Sequence, residues 1–117
     1  MREYNLYLND ILKSIKKIER EREIYIYTKG LTLKQVMKNE LVVDGVAKNL
    51  EVIGEAVKNI PFQIKEKYPK IEWKKIAGLR DILTHEYFSI DLEVLWDITQ
   101  NKLPILKKQI LTLLLTK

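Results

Sequence analysis

The chain predicts an all-α, up-and-down bundle of four to five helices, and three observations carry that expectation. Apolar residues recur at three- and four-residue steps over most of its 117 residues. Glycine and proline are scarce, with four and three copies. The one run that alternates like a strand, Ile24-Tyr-Ile-Tyr27, has no second strand to pair with. Residues 1–117 read as a single domain, large enough to bury one core without staples. No repeat, linker or low-complexity segment interrupts it.

Leu8, Ile11, Leu12, Ile15 and Ile18 define a first amphipathic helix from about Tyr4 to Glu23. Ile24–Tyr27 reads as its last turns, with Gly30 nearby to stop it. Thr32 with Gln35 resembles a capping box opening a short helix. Val43, Val46, Ala47, Leu50, Ile53, Gly54, Val57 and Ile60 form the clearest stripe, that of a central helix. Pro61 suits a first-turn proline, carrying Phe62 to Lys67 before Tyr68-Pro69 breaks the helix. Trp73, Ile76, Leu79 and Leu83 mark the buried stripe of a further helix. Asp91 is suited to N-cap the last one, with Ile90 and Leu95 in staple positions. That helix runs to Leu115, and Pro104 should kink it.

Composition narrows the chemistry. Without cysteine there are no disulfides and no thiolate metal sites, which fits a reducing cytoplasm. A single histidine leaves too few ligands for a zinc or iron site within one chain, so no metal or cofactor is expected. The N-terminus has no apolar signal core, and no uncharged run approaches the ~20 residues of a membrane span. A soluble cytoplasmic protein is the expectation. The formal charge of +5 favours a polyanionic partner. Lys13, Lys16, Lys17, Lys65 and Lys67 fit the solvated faces of helices just as well.

Acid–base chemistry at neutral pH points to Arg80-Asp-Ile-Leu-Thr-His85-Glu-Tyr87, which holds the only histidine. Arg80 supplies a permanent planar cation suited to phosphate, and Tyr87 a phenol. His85 falls nearly opposite the buried stripe of its helix, beside Asp81 and Gly78, which argues against a histidine satisfied inside the core. Gly78 in a helix centre costs roughly 1 kcal/mol against alanine. A small, polar, histidine-bearing face is what a dimer contact or a nucleic-acid cleft needs. Arg80 stands about 140° round from His85 on a continuous helix. The helix should end near His85 or Glu86, which lets Tyr87 swing out beside the site. A packing aromatic whose hydroxyl finds water fits Tyr87 equally well.

The segment resembles the Arg-x-x-x-x-His-x-Tyr motif of the HEPN superfamily, specifically the HepT-like toxins of HepT–MntA toxin–antitoxin pairs. Lys48-Asn-Leu-Glu-Val-Ile-Gly-Glu-Ala56, Ile71-Glu-Trp-Lys-Lys-Ile-Ala-Gly-Leu-Arg80 and Asp91 with Val94-Leu-Trp96 are similar to further blocks of that family. Tyr7-Leu-Asn-Asp-Ile-Leu12 fits its opening helix. The resemblance implies a homodimer whose motifs face across a cleft, acting on RNA as a metal-independent endoribonuclease. It makes Arg80 and His85 the catalytic pair. Tyr87 becomes the residue to which a cognate MntA-type minimal nucleotidyltransferase antitoxin attaches AMP, silencing the toxin. Asp81 departs from the asparagine of many members; it could orient an imidazolium or repel a phosphate.

The residues suit that chemistry. Metal-free cleavage needs a base for the 2′-hydroxyl, an acid for the leaving 5′-oxygen and a cation for the phosphorane. One chain offers one histidine, and a two-fold dimer offers two. Glu51 and Glu55, four apart on the central helix, read first as surface charges, with orientation of Arg80 left open. Two other readings stand beside the nuclease. One is a catalytically inactive HEPN module that partners a nucleotidyltransferase. The other is a plain helical dimerisation protein.

Overall fold

Leu8, Ile11, Leu12, Ile15 and Ile18 lie on one face of helix α1, Glu3–Lys29, and all five are buried. The structure, a computed structural model, describes residues 3–29, 40–85 and 91–115. Ile24–Tyr27 is helical, as its lack of a pairing partner implied. The Thr32–Gln35 capping box and Gly30 lie outside the described residues.

Helix α2, Glu40–Lys58, buries Val46, Ala47, Leu50, Ile53, Ala56 and Val57. It lies between α1 on one side and helix α4, Trp73–His85, on the other. Each fully buried aliphatic of this centre is worth about 1.5–3 kcal/mol in area removed from water. Asn59 and Ile60 close the end of α2 through N–H bonds to the Ala56 and Val57 carbonyls.

Pro61 sits one position earlier than expected, as the N-cap of α3, Phe62–Lys67. Its φ of −58° and ψ of 144° turn the chain out of the helical path. Its carbonyl, which no ring constrains, then accepts from the Ile64 and Lys65 N–H groups. Tyr68 leaves the helix ahead of Pro69, whose ring crowds a helical neighbour. The Trp73 indole donates to the Tyr68 carbonyl at 3.0 Å, so this buried ring also ties down the turn before α4.

In α4 the expected stripe is only half realised. Trp73 and Leu83 are buried, whereas Ile76 and Leu79 are partly exposed. Among the described residues α4 rests chiefly on one long neighbour, α2.

Asp91 caps helix α5, Leu92–Asp97, by accepting from the Glu93 N–H at 2.8 Å. The other staple residue, Ile90, lies outside the described residues. The helix then widens into a π-helical segment, Ile98–Lys102, before α6, Leu103–Leu115. The expected kink at Pro104 therefore takes the form of a π turn just ahead of it. Proline has no N–H to continue the ladder, and its ring would crowd the carbonyl four residues back. The wider turn, in which the Leu103 N–H reaches the Ile98 carbonyl, absorbs both problems. It also keeps Leu95, Thr99 and Leu103, each four apart, on the buried face. The α6 face packs on α1, where Lys107 pairs with Glu19 at 2.9 Å. Among the described residues no helix is long and apolar enough to cross a membrane.

Candidate active site

Two polar ladders meet where α2 packs on α4. On α2, Glu51, Gly54, Glu55 and Lys58 follow i, i+3, i+4, i+7 spacing and so share one stripe. On α4, Ala77, Arg80, Asp81 and Thr84 do the same. Gly54 lets the stripes touch: a Cβ built there would overlap the Arg80 Cβ and come within 3.1 Å of the Ile76 carbonyl oxygen. The absence of a side chain at Gly54 sets Arg80 against the central helix.

Arg80 is then held from below. Its Nε lies 3.1 Å from the Glu55 carboxylate, which fixes the plane of the guanidinium. Its Nη1 lies 3.3 Å from Asp81 Oδ1. The same oxygen accepts from Lys58 Nζ at 2.6 Å. The Lys58 hydrogen bond, helped by Arg80, holds the Asp81 carboxyl below the usual range, so it stays ionised at neutral pH. One turn on, the Thr84 hydroxyl lies 3.1 Å from Glu51 Oε1 and 2.8 Å from the Arg80 carbonyl.

Of the residues singled out in the sequence, Arg80, Asp81, Glu55 and Glu51 belong to this one surface. Glu55 touches Arg80 directly, and Glu51 reaches Thr84, so both are more than solvated charges. Asp81 is engaged by Lys58 and Arg80. His85 is exposed and ends α4, next to Thr84. Tyr87 lies outside the described residues. Gly78 faces open space, since a Cβ there would meet nothing within 4 Å. Among the described residues its small size has no packing reason. Ile82, one turn along the same helix, is 47% exposed.

The sequence reading missed Gly54 as a contact point, and missed Lys58 and Thr84 altogether. Their signal was present as the shared i, i+3, i+4, i+7 spacing, but spacing does not say which helix faces which. Among the described residues no three histidines or carboxylates converge in a way that could hold a metal ion. A groove of about 400 Å³, lined by Lys67, Tyr68, Ile71 and Lys108 among others, lies near the start of α4. It includes neither Arg80 nor His85.

A family profile described as Ribonuclease HepT-like matches residues 11–113. The chain belongs to this HepT-like family, within the HEPN superfamily. A Methanocaldococcus jannaschii protein named as a putative RNase is 43% identical over 84% of the chain and 76% of its own length. A probable ribonuclease HepT of Thermococcus cleftensis is 36% identical over 91% of each. A second M. jannaschii protein, named as a gamma-glutamylcyclotransferase and putative RNase, is 39% identical over 97% of the chain. The HepT-like chain spans only 48% of that relative's length. No solved structure matches it. The matched region takes in both ladders, so Gly54, Glu55, Arg80 and His85 all stand inside the HepT-like segment.

Proposed function

We propose that this protein is a metal-independent endoribonuclease, the toxin of a toxin–antitoxin pair, acting as a homodimer with a composite site. The observation that carries the reading is the Arg80 guanidinium, fixed at its Nε by Glu55, on the helix that ends in the exposed His85. In the proposed step, His85 takes the proton of the 2′-hydroxyl, whose oxygen attacks the adjacent phosphorus. Arg80 stabilises the charged phosphorane. The P–O5′ bond breaks, the 5′-oxygen takes a proton from a protonated imidazole, and a 2′,3′-cyclic phosphate remains. A partner's histidine as the acid would let base and acid act in one turnover. Among the described residues the face around Gly78, Ile82 and His85 is uncovered, which supports a two-fold contact there.

The test uses purified protein and RNA. Cleavage is expected to survive EDTA and to leave 2′,3′-cyclic phosphate ends. Loss of activity in EDTA, or ends bearing a free 3′-hydroxyl, would rule the mechanism out.

In this reading Tyr87 is the acceptor of AMP from a minimal nucleotidyltransferase. Each adenylate brings about one negative charge, which would compete for Arg80 and repel RNA. Tyr87→Phe is expected to remain a nuclease and to escape silencing when the partner and ATP are added. Intact-mass measurement reads the adenylate, and its appearance on another tyrosine would sink the assignment.

A second reading, an inactive HEPN module that binds such a partner, has one observation on its side. Asp81 stands beside Arg80, so the cation faces two carboxylates. The EDTA experiment separates the two readings: an inactive module cleaves nothing under any condition.

A further inference from the structure

Arg80 meets two carboxylates, and a guanidinium shared between Glu55 and Asp81 is a poor receptor for a third anion. The group that changes this is Lys58. Its Nζ lies 2.6 Å from Asp81 Oδ1, whereas Arg80 Nη1 lies 3.3 Å from the same oxygen. We infer that Lys58 is a positioning residue that draws the Asp81 carboxylate onto itself and so keeps Arg80 available to an RNA phosphate. The inference rests on the nuclease reading for its substrate, and on the Lys58–Asp81–Arg80 geometry for its mechanism.

The charges make the case. Glu55, Arg80, Asp81 and Lys58 together are neutral. Removing Lys58 leaves a net negative cluster around the group meant to receive a phosphate, and lets Asp81 close on Arg80. Neutralising Asp81 as well restores the balance. Glu55 has a different part: it lies 3.1 Å from Nε and so orients the guanidinium without itself engaging the terminal nitrogen that Asp81 meets. Lys58 also stands in the last turn of α2, where a cation is favoured by the helix dipole, so it needs no other partner to justify its place.

Two readouts test the inference on the full chain. The first is cleavage rate, and the second is affinity for a 2′-O-methyl oligonucleotide, which cannot be cleaved. Because these side chains are partly solvated, Lys58→Met is expected to weaken both by roughly three- to tenfold. Asp81→Asn placed on Lys58→Met should return both to within about twofold of the starting protein, since it removes the charge that Lys58 offsets. Lys58→Arg should behave as the starting protein. Circular dichroism checks that each variant is folded.

If Lys58→Met and Asp81→Asn act independently, so that the double variant stays impaired, Lys58 touches phosphate itself and the inference is overturned. A nuclease indifferent to Lys58→Met overturns it too. A protein that binds the oligonucleotide with the expected pattern yet cleaves no RNA overturns the nuclease reading and leaves the positioning role standing. A protein that neither binds nor cleaves overturns both.

Discussion

His85→Ala is expected to lower RNA cleavage by about 10²–10⁴-fold, the contribution typical of a positioned general base or acid. The chain has no second histidine to stand in. Arg80→Ala should cost about 10²–10³-fold, the scale of losing one donor to a developing oxyanion. Arg80→Lys should recover only part of this. An ammonium has no Nε to bond Glu55 while presenting a fork outward, so it cannot be both held and offered.

Neither His85→Ala nor Arg80→Ala should disturb the core, since His85 is exposed and Arg80 lies only partly under its neighbours. Stability measured alongside activity therefore isolates the chemistry. Mixing subunits adds a test of the composite site. Excess His85→Ala chains should poison the activity of wild-type chains, because mixed dimers carry one imidazole in place of two. Unchanged activity per wild-type chain would mean that each protomer works alone.

Gly54→Ala carries the second large effect, and its sign is the informative part. Alanine in place of glycine within a helix ordinarily stabilises by up to about 1 kcal/mol. Here the new methyl would overlap the Arg80 Cβ and crowd the Ile76 carbonyl, both on the facing helix. Relief requires α2 and α4 to move apart, which is expected to cost about 1–3 kcal/mol, as overpacking does. It should also carry Arg80 away from Glu55, so cleavage should fall beyond what the lost stability explains.

Gly78→Ala is the matched control. Its methyl meets none of the described residues, so thermal unfolding should show no loss. A weakened dimer from that variant would place the partner over Gly78. A Gly54→Ala protein that is more stable and equally active would refute the close contact.

Much of this protein is legible in one dimension because helices bury a stripe. The spacing of Leu8 to Ile18, and of Val46 to Ile60, could be satisfied only by burying those positions, and they are buried. Asp91 as an N-cap and the break at Tyr68-Pro69 follow from local backbone chemistry and needed no neighbour. Arg80 and His85 stood out as candidates because the chain has one histidine, with an arginine five residues before it.

Tertiary structure decided everything that depends on which faces meet. Ile76 and Leu79 looked as apolar as Trp73, yet among the described residues α4 packs chiefly on α2 and leaves them partly exposed. Pro104 announced a kink in the last helix, while its form, a π turn that leaves Leu95, Thr99 and Leu103 buried, belongs to the folded chain. Glu55, Lys58 and Thr84 are ordinary surface residues in sequence. They become the setting of Arg80 only because Gly54 brings two helices close enough for carboxylate, ammonium and hydroxyl to reach across. Periodicity names the face a residue occupies; the partner across that face is a property of three-dimensional packing alone.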